Sequence, residues 1–254
     1  MPFKSDAYVS DQFGKYVLTT MLPIFLRLIY IIPLYRLVQN LVGEKESRAR
    51  ESMRMMGLSE SSYWLSWFVY YLLVVTTISL LCLIVTSGNV WMHSSKGLVF
   101  LFLWVYGLSL FGLSVCVQSF FSSAKVAATF NAMFYFGTGF IATAVMNPDV
   151  SESKKNIASI LPTIAVELAS NNLGMFEGNG QGLTMATVND VYQNYKFQTG
   201  LVVMVISLVV FTCIGIYLDN VLPSAFGLRK PWYFLFTSRY WFGVGNQRGR
   251  IQNR

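Results

Sequence analysis

The sequence predicts an all-α polytopic membrane protein, with about five transmembrane helices, a surface docking helix and a short re-entrant or interfacial helix. Three observations carry this. Apolar residues make up 54% of the chain and charged residues 12%, about half the charged share of a soluble domain. Several runs exceed the ~18 apolar residues that a bilayer-crossing helix needs. The remaining charges gather in the flanks and loops of those runs, most densely at positions 44–54, between the first two.

Residues 1–16 form a mixed polar lead-in, without the apolar core and small-residue cleavage site of a secretory signal. The first span covers 17–42 and contains Pro23, Pro33, Arg27 and Arg36. Arg36 lies near the inner end and can snorkel to the headgroups. Arg27 falls well inside the hydrocarbon, where a cation faces a bundle interior, a cavity or a counter-charge. Two readings stay open for it. It contacts a lipid headgroup or substrate, or it pairs with a carboxylate or backbone carbonyls, which is the favoured reading. Nine residues apart on a straight helix, the two arginines point in nearly opposite directions and cannot share one cleft.

Positions 43–62 hold the docking helix. At helical spacing Glu44 faces Arg48 and Glu46 faces Arg50, each acid one turn ahead of its base, the favourable order. Glu51 and Arg54 complete the charged face, and Ala49, Met53 and Met56 form a narrow apolar stripe. Gly57 can close the helix in a left-handed cap, with Leu58 seating it, and Ser59 can start the next helix. A short amphipathic helix between two spans lies on the membrane surface. It is either a solvated connector or a docking element that passes force to a soluble partner.

The second span, 63–86, is uncharged. Trp64, Trp67, Tyr70 and Tyr71 crowd its first half as an interfacial belt, with a lipid contact at Trp64 and Trp67 as the alternative. A polar turn follows, with His93 as the sole histidine, which nominates neither a metal site nor a base. Spans 97–121 and 125–146 are joined by a tight turn. In the latter, Ala128, Ala132, Gly139 and Thr143 make a small-residue stripe for close helix approach, and Asn131 beside it should seek an interhelical hydrogen bond. Within 147–197, the apolar run Ile157–Ala169 is interrupted by Pro162 and is too short to cross, and 171–196 reads as a water-exposed loop. The last span covers 198–218, and a basic tail covers 219–254.

Some chemistry is missing. Cys82, Cys116 and Cys213 each lie inside an apolar run without metal or redox spacing. The Gly-rich 178–182 stretch lacks the Lys-Ser/Thr ending of a phosphate-binding loop. No catalytic, cofactor-binding or metal-ligating residue is nominated, so this chain alone is not expected to be an enzyme or to hold a cofactor. The net charge of +7 is explained by basic flanks meeting anionic headgroups, with no nucleic-acid partner implied.

The block Glu44-Lys45-Glu46-Ser47-Arg48-Ala49-Arg50-Glu51-Ser52-Met53-Arg54-Met55-Met56-Gly57-Leu58 resembles the segment after the second transmembrane helix of A-subfamily ATP-binding-cassette (ABC) lipid transporters. The likeness continues through Trp64 and Ser66-Trp67-Phe68, and returns at Pro231-Trp232-Tyr233-Phe234 and Tyr240-Trp241-Phe242-Gly243. The resemblance implies spans two to six of a transporter half, without its ATPase. It implies ATP on a nucleotide-binding domain, a second membrane half in cis or in trans, and a lipid or other amphiphile as substrate. It also implies that 44–58 couples to that domain. The competing class is a stand-alone structural subunit of a larger membrane complex that has lost the ATPase. With five crossings, basic residues number eleven on the docking-helix side and six on the other. That bias predicts an outside N-terminus and a cytoplasmic C-terminus.

Overall fold

A computed structural model describes residues 17–222 apart from Asn89. The lead-in, both C-terminal aromatic blocks and the arginine-rich tail lie outside the described residues. A π-helical turn, Val17–Met21, leads into α1 (Leu22–Glu46), followed by α2 (Ala49–Met55), α3 (Glu60–Thr86), α4 (Lys96–Gln118) and α5 (Ala124–Val145). Then come α6 (Glu152–Ala158), α7 (Pro162–Gly178), a two-stranded antiparallel ribbon of β1 (Val191–Tyr192) and β2 (Tyr195–Lys196), and α8 (Phe197–Val221).

The bundle is built around α4. Its sequence is apolar all round, which suits lipid or protein neighbours equally; here other helices cover most of it, whereas α3 and α8 are largely uncovered. Here α8 lies along one side of it, α3 and α1 along others. The approach to α8 is close. A side chain at Gly215 would strike the backbone of Val115 and Cys116, and one at Gly112 the Leu208 carbonyl. That small-residue seam brings helices together through packing, the main source of association where lipid removes the hydrophobic drive.

Four helices are long and apolar enough to cross a membrane: Thr19–Glu46, α3, α4 and α8. The fifth expected span, α5, has 22 residues but is diluted by Asn131, Tyr135 and several Gly and Thr, and is not among those four. It nevertheless runs antiparallel along α1. The Ala124 amide donates to Glu46 at 2.9 Å at one end, and the Tyr135 hydroxyl donates to the Arg27 carbonyl at 3.2 Å towards the other. Its buried face is Ala124, Ala127, Ala128, Asn131, Tyr135, Thr138, Gly139 and Ala142. The expected stripe is thus corrected at its end, since Thr143 is exposed. Asn131 is fully buried, and neither amide atom finds a partner among the described residues.

Two further expectations change. Pro162 does not interrupt a helix. It occupies the first turn of α7, where its missing N–H costs nothing, and the chain breaks before it, between α6 and α7. The segment after 171 is not loop at first, because α7 continues to Gly178 with Asn171 and Asn172 buried. The Asn172 amide donates to the Tyr195 carbonyl at 3.0 Å, seating the ribbon on the helix. The ribbon turns at Gln193 and Asn194, both with positive φ, as a two-residue hairpin requires.

Candidate functional site

The charged block between the first two spans does not form one helix. α1 ends at Glu46, Arg48 sits in the left-handed region with φ 60°, and α2 starts afresh at Ala49. The expected Glu44–Arg48 and Glu46–Arg50 pairs across one turn are therefore absent, and each acid is used elsewhere. Glu44 accepts from the Tyr63 hydroxyl at 2.8 Å and from the Trp67 indole at 3.3 Å. Glu46 caps α5 through the Ala124 amide, a carboxylate placed at a helix N-terminus. The sequence pattern alone allows charge complementarity to be satisfied within the block. The backbone reversal redirects it to neighbouring helices.

Arg50 is the inward face of α2. It is buried, donates to Asp219 at 2.5 Å, and its guanidinium lies 4.6 Å from the Tyr63 ring centroid and 5.3 Å from that of Trp64. Lys45 reaches the other oxygen of Asp219. One carboxylate near the end of α8 thus ties together the end of α1, the short α2 and the start of α3. Sequence reasoning missed Asp219, which stood at the head of the expected tail. The available signal was a lone acid at the end of an apolar span, on the same side as a surplus of bases.

Met53 packs against the core, whereas Met55 is 84% and Met56 80% exposed, with Leu58 also outward. The expected seating stripe is corrected accordingly: of its methionines only Met53 seats the helix, because α2 ends at Met55 and Met56 lies at its C-cap, where the chain turns out of the helix. Gly57 (φ 98°) closes α2. The Leu58 amide donates to the Met53 carbonyl at 3.1 Å and the Gly57 amide to the Arg54 carbonyl at 3.0 Å, the paired bonds of a glycine C-cap. Ser59 caps α3, accepting from the Ser62 amide at 3.1 Å. Arg54 bridges forward to Glu60 and lies 3.8 Å from Glu51. The result is a short, charged, Met-tipped helix, pinned on one side and open on the other.

The tryptophans do not form one belt. Trp64 and Tyr71 turn into the core, while Trp67 is half-buried and Tyr70 exposed. Trp64 is held edge-on against Tyr63 rather than presented to lipid.

At the opposite end, Arg27 is buried and ion-paired with Glu167 of α7. The pair sits beneath Gly139, where any side chain would overlap the guanidinium. Thr163 donates to Thr138 at 2.9 Å one turn away. Of the two readings left open, the geometry here is the pairing with a carboxylate.

Glu177 was not singled out in the sequence. Its carboxylate accepts from the backbone amides of Met92 and His93, both at 2.8 Å, from the Ser94 amide at 2.9 Å, and from the Ser94 hydroxyl. Burial alone would raise its pKa, but these donors outweigh it and hold the carboxyl below its ordinary value. The loop between α3 and α4 is thereby clamped onto α7, and His93 lies 3.3 Å from the same carboxylate. Among the described residues no cluster of three metal-ligating side chains occurs.

A family model described as ABC-2 family transporter protein matches residues 2–217. The chain is 32% identical over 229 residues, 88% of its length, to ATP-binding cassette sub-family A member 13 of Homo sapiens. It is 31% identical to the phospholipid-transporting ATPase ABCA7 and 28% identical to the retinal-specific phospholipid-transporting ATPase ABCA4, both of Homo sapiens, over 96% of its length. The chain spans 4% of the length of the first relative and 11% of each of the others.

Proposed function

Because this chain belongs to the ABC-2 family of transporters and is a multi-pass membrane domain homologous to A-subfamily lipid transporters, we propose that it is the membrane part of an ATP-driven lipid transporter, coupled through α2 to a nucleotide-binding domain. A phospholipid or similar amphiphile is the substrate class, following the names of the relatives. The ATP-hydrolysing chemistry belongs to the partner domain, and the second membrane half completes the transporter. The N-terminus faces outward and the α2 end faces the cytoplasm.

One observation carries this reading. The inner side of α2 is fastened by Arg50 to Asp219, and Asp219 also holds Lys45, so a push on α2 reaches the ends of α1 and α8 together. The outer side offers Met55 and Met56, a soft and adaptable contact that suits a moving partner. ATP-driven closure of the partner would then shift the bundle between two packings, changing which leaflet its lipid path opens to. The Arg48, Glu51 and Arg54 side chains frame that contact, while Glu44, Glu46 and Arg50 are committed inside the bundle.

The test separates the two sides. In the purified, reconstituted transporter, replacing Met55 and Met56 by Asp is expected to leave folding intact but to uncouple ATP turnover from lipid movement. Asp219→Asn is expected to lower stability first. Unchanged coupling in the Met55/Met56 variant would sink the docking role. Purification from native membrane without any ATPase activity would favour the structural-subunit reading.

A further inference from the structure

We infer that the Arg27–Glu167 ion pair is an intramembrane linkage that makes α7 follow α1, so that displacement at the α2 end is transmitted to the opposite end of the bundle. The inference rests on the proposed coupling role of α2 and adds the element that answers it.

The observations are these. α1 is a continuous helix of 25 residues, roughly 37 Å long at ~1.5 Å per residue. Its last turn is held by Lys45 to Asp219, and its first turns by Arg27 to Glu167. Every other polar tie of the same stretch goes to a different neighbour. Tyr30 bonds Ser79 at 2.9 Å and the Leu103 carbonyl at 3.0 Å, and the Arg27 carbonyl accepts from Tyr135. Arg27–Glu167 is thus the charged tie between α1 and α7 among the described residues.

The pair is costly to build. Two buried charges lose hydration that only close mutual geometry can offset, and apolar residues of similar volume would pack as well. A bundle needing only cohesion has cheaper solutions. What an ion pair adds is direction: Glu167 follows Arg27 because separating them strands two charges in a low-dielectric interior. The slot is shaped for it, since α5 presents Gly139 where any side chain would displace the guanidinium. α7 in turn carries Glu177, which clamps the loop joining α3 to α4. A shift of α1 therefore reaches α7, and through Glu177 the far-end loop, without contact between that loop and α2.

The test is a double-mutant cycle read by hydrogen–deuterium exchange on the reconstituted protein, independent of any transport assay. Asp219→Asn perturbs one end, and exchange is followed in residues 162–178 and 92–95 at the other. With Arg27 intact, the perturbation is expected to raise exchange there by about fivefold or more, a typical coupling magnitude. In the Arg27→Gln background it is expected to add nothing beyond the effect of Arg27→Gln itself. Independent, additive effects of the two substitutions overturn the linkage. Should Arg27→Gln fail to fold, Arg27→Lys takes its place. It keeps the charge but loses the planar fork, so the far-end response is expected to fall, and an undiminished response overturns the proposal. Because no ATPase or lipid readout enters, failure here leaves the transporter reading standing.

Discussion

The two ends of the bundle handle charge in opposite ways. At the α2 end one buried acid, Asp219, serves two bases, Lys45 and Arg50, with Arg54 and Glu60 bridging outside them. At the far end Arg27 and Glu167 pair one to one in the interior, and Glu177 accepts from three backbone amides and the Ser94 hydroxyl of one loop. A shared acid tolerates rearrangement, because it keeps a second base when one is released. A buried one-to-one pair tolerates none. The contrast suits a bundle that is pushed at the first end and must answer as a unit at the second.

Removing one member of each pair sharpens that contrast, and the largest loss is expected at the interior pair. Glu167→Ala strands the Arg27 guanidinium and is expected to cost about 3–5 kcal/mol, seen as a large fall in the thermal midpoint of the detergent-solubilised protein. A loss no greater than that of an edge charge would show that water reaches the pair. Asp219→Asn comes next, at about 1.5–3 kcal/mol for lost charge-assisted hydrogen bonds, because the asparagine oxygen can still accept from one base and Lys45 is partly exposed.

Glu177 adds a pH dependence. Its folded pKa lies below the unfolded value, so its contribution is fully present above the ordinary carboxylate range and is lost as pH falls through the lowered folded value. Exchange of the Met92, His93 and Ser94 amides is therefore expected to rise, relative to intrinsic rates, only once the pH has fallen below the ordinary carboxylate range. In Glu177→Gln it is expected to be high and to show no such step. Smallest of all is Arg54→Ala. Its bridges to Glu51 and Glu60 are more than a third exposed on the arginine side and are screened by solvent, so about 0–1 kcal/mol is expected.

The sequence exposes some of this directly. Long apolar runs mark α1, α3, α4 and α8, because a lipid-crossing helix must be apolar through its length. Gly57 and Ser59 mark the end of α2 and the start of α3, since caps are local chemistry. What stays hidden is long-range. Arg27 announces a need for a partner, but nothing local points to Glu167 in another helix. Asp219 and Glu177 look ordinary until the fold brings bases to one and bare amides to the other. The Glu44–Arg48 and Glu46–Arg50 pairs looked right and are not made, because Arg48 adopts a left-handed backbone that no charge pattern reveals. Those tertiary contacts, rather than the helical spacing, decide which face of α2 is free.

That free face is the centre of the account, and photocross-linking tests it directly. A benzophenone amino acid at Met56, in native membranes, is expected to form an adduct with a domain that binds labelled ATP, whether on the same polypeptide or another. The same probe at Ile84, exposed at the opposite end of α3, is expected to give none. An ATP-binding adduct at Met56 alone supports docking on α2. No such adduct at Met56, or equal adducts at both positions, would contradict it.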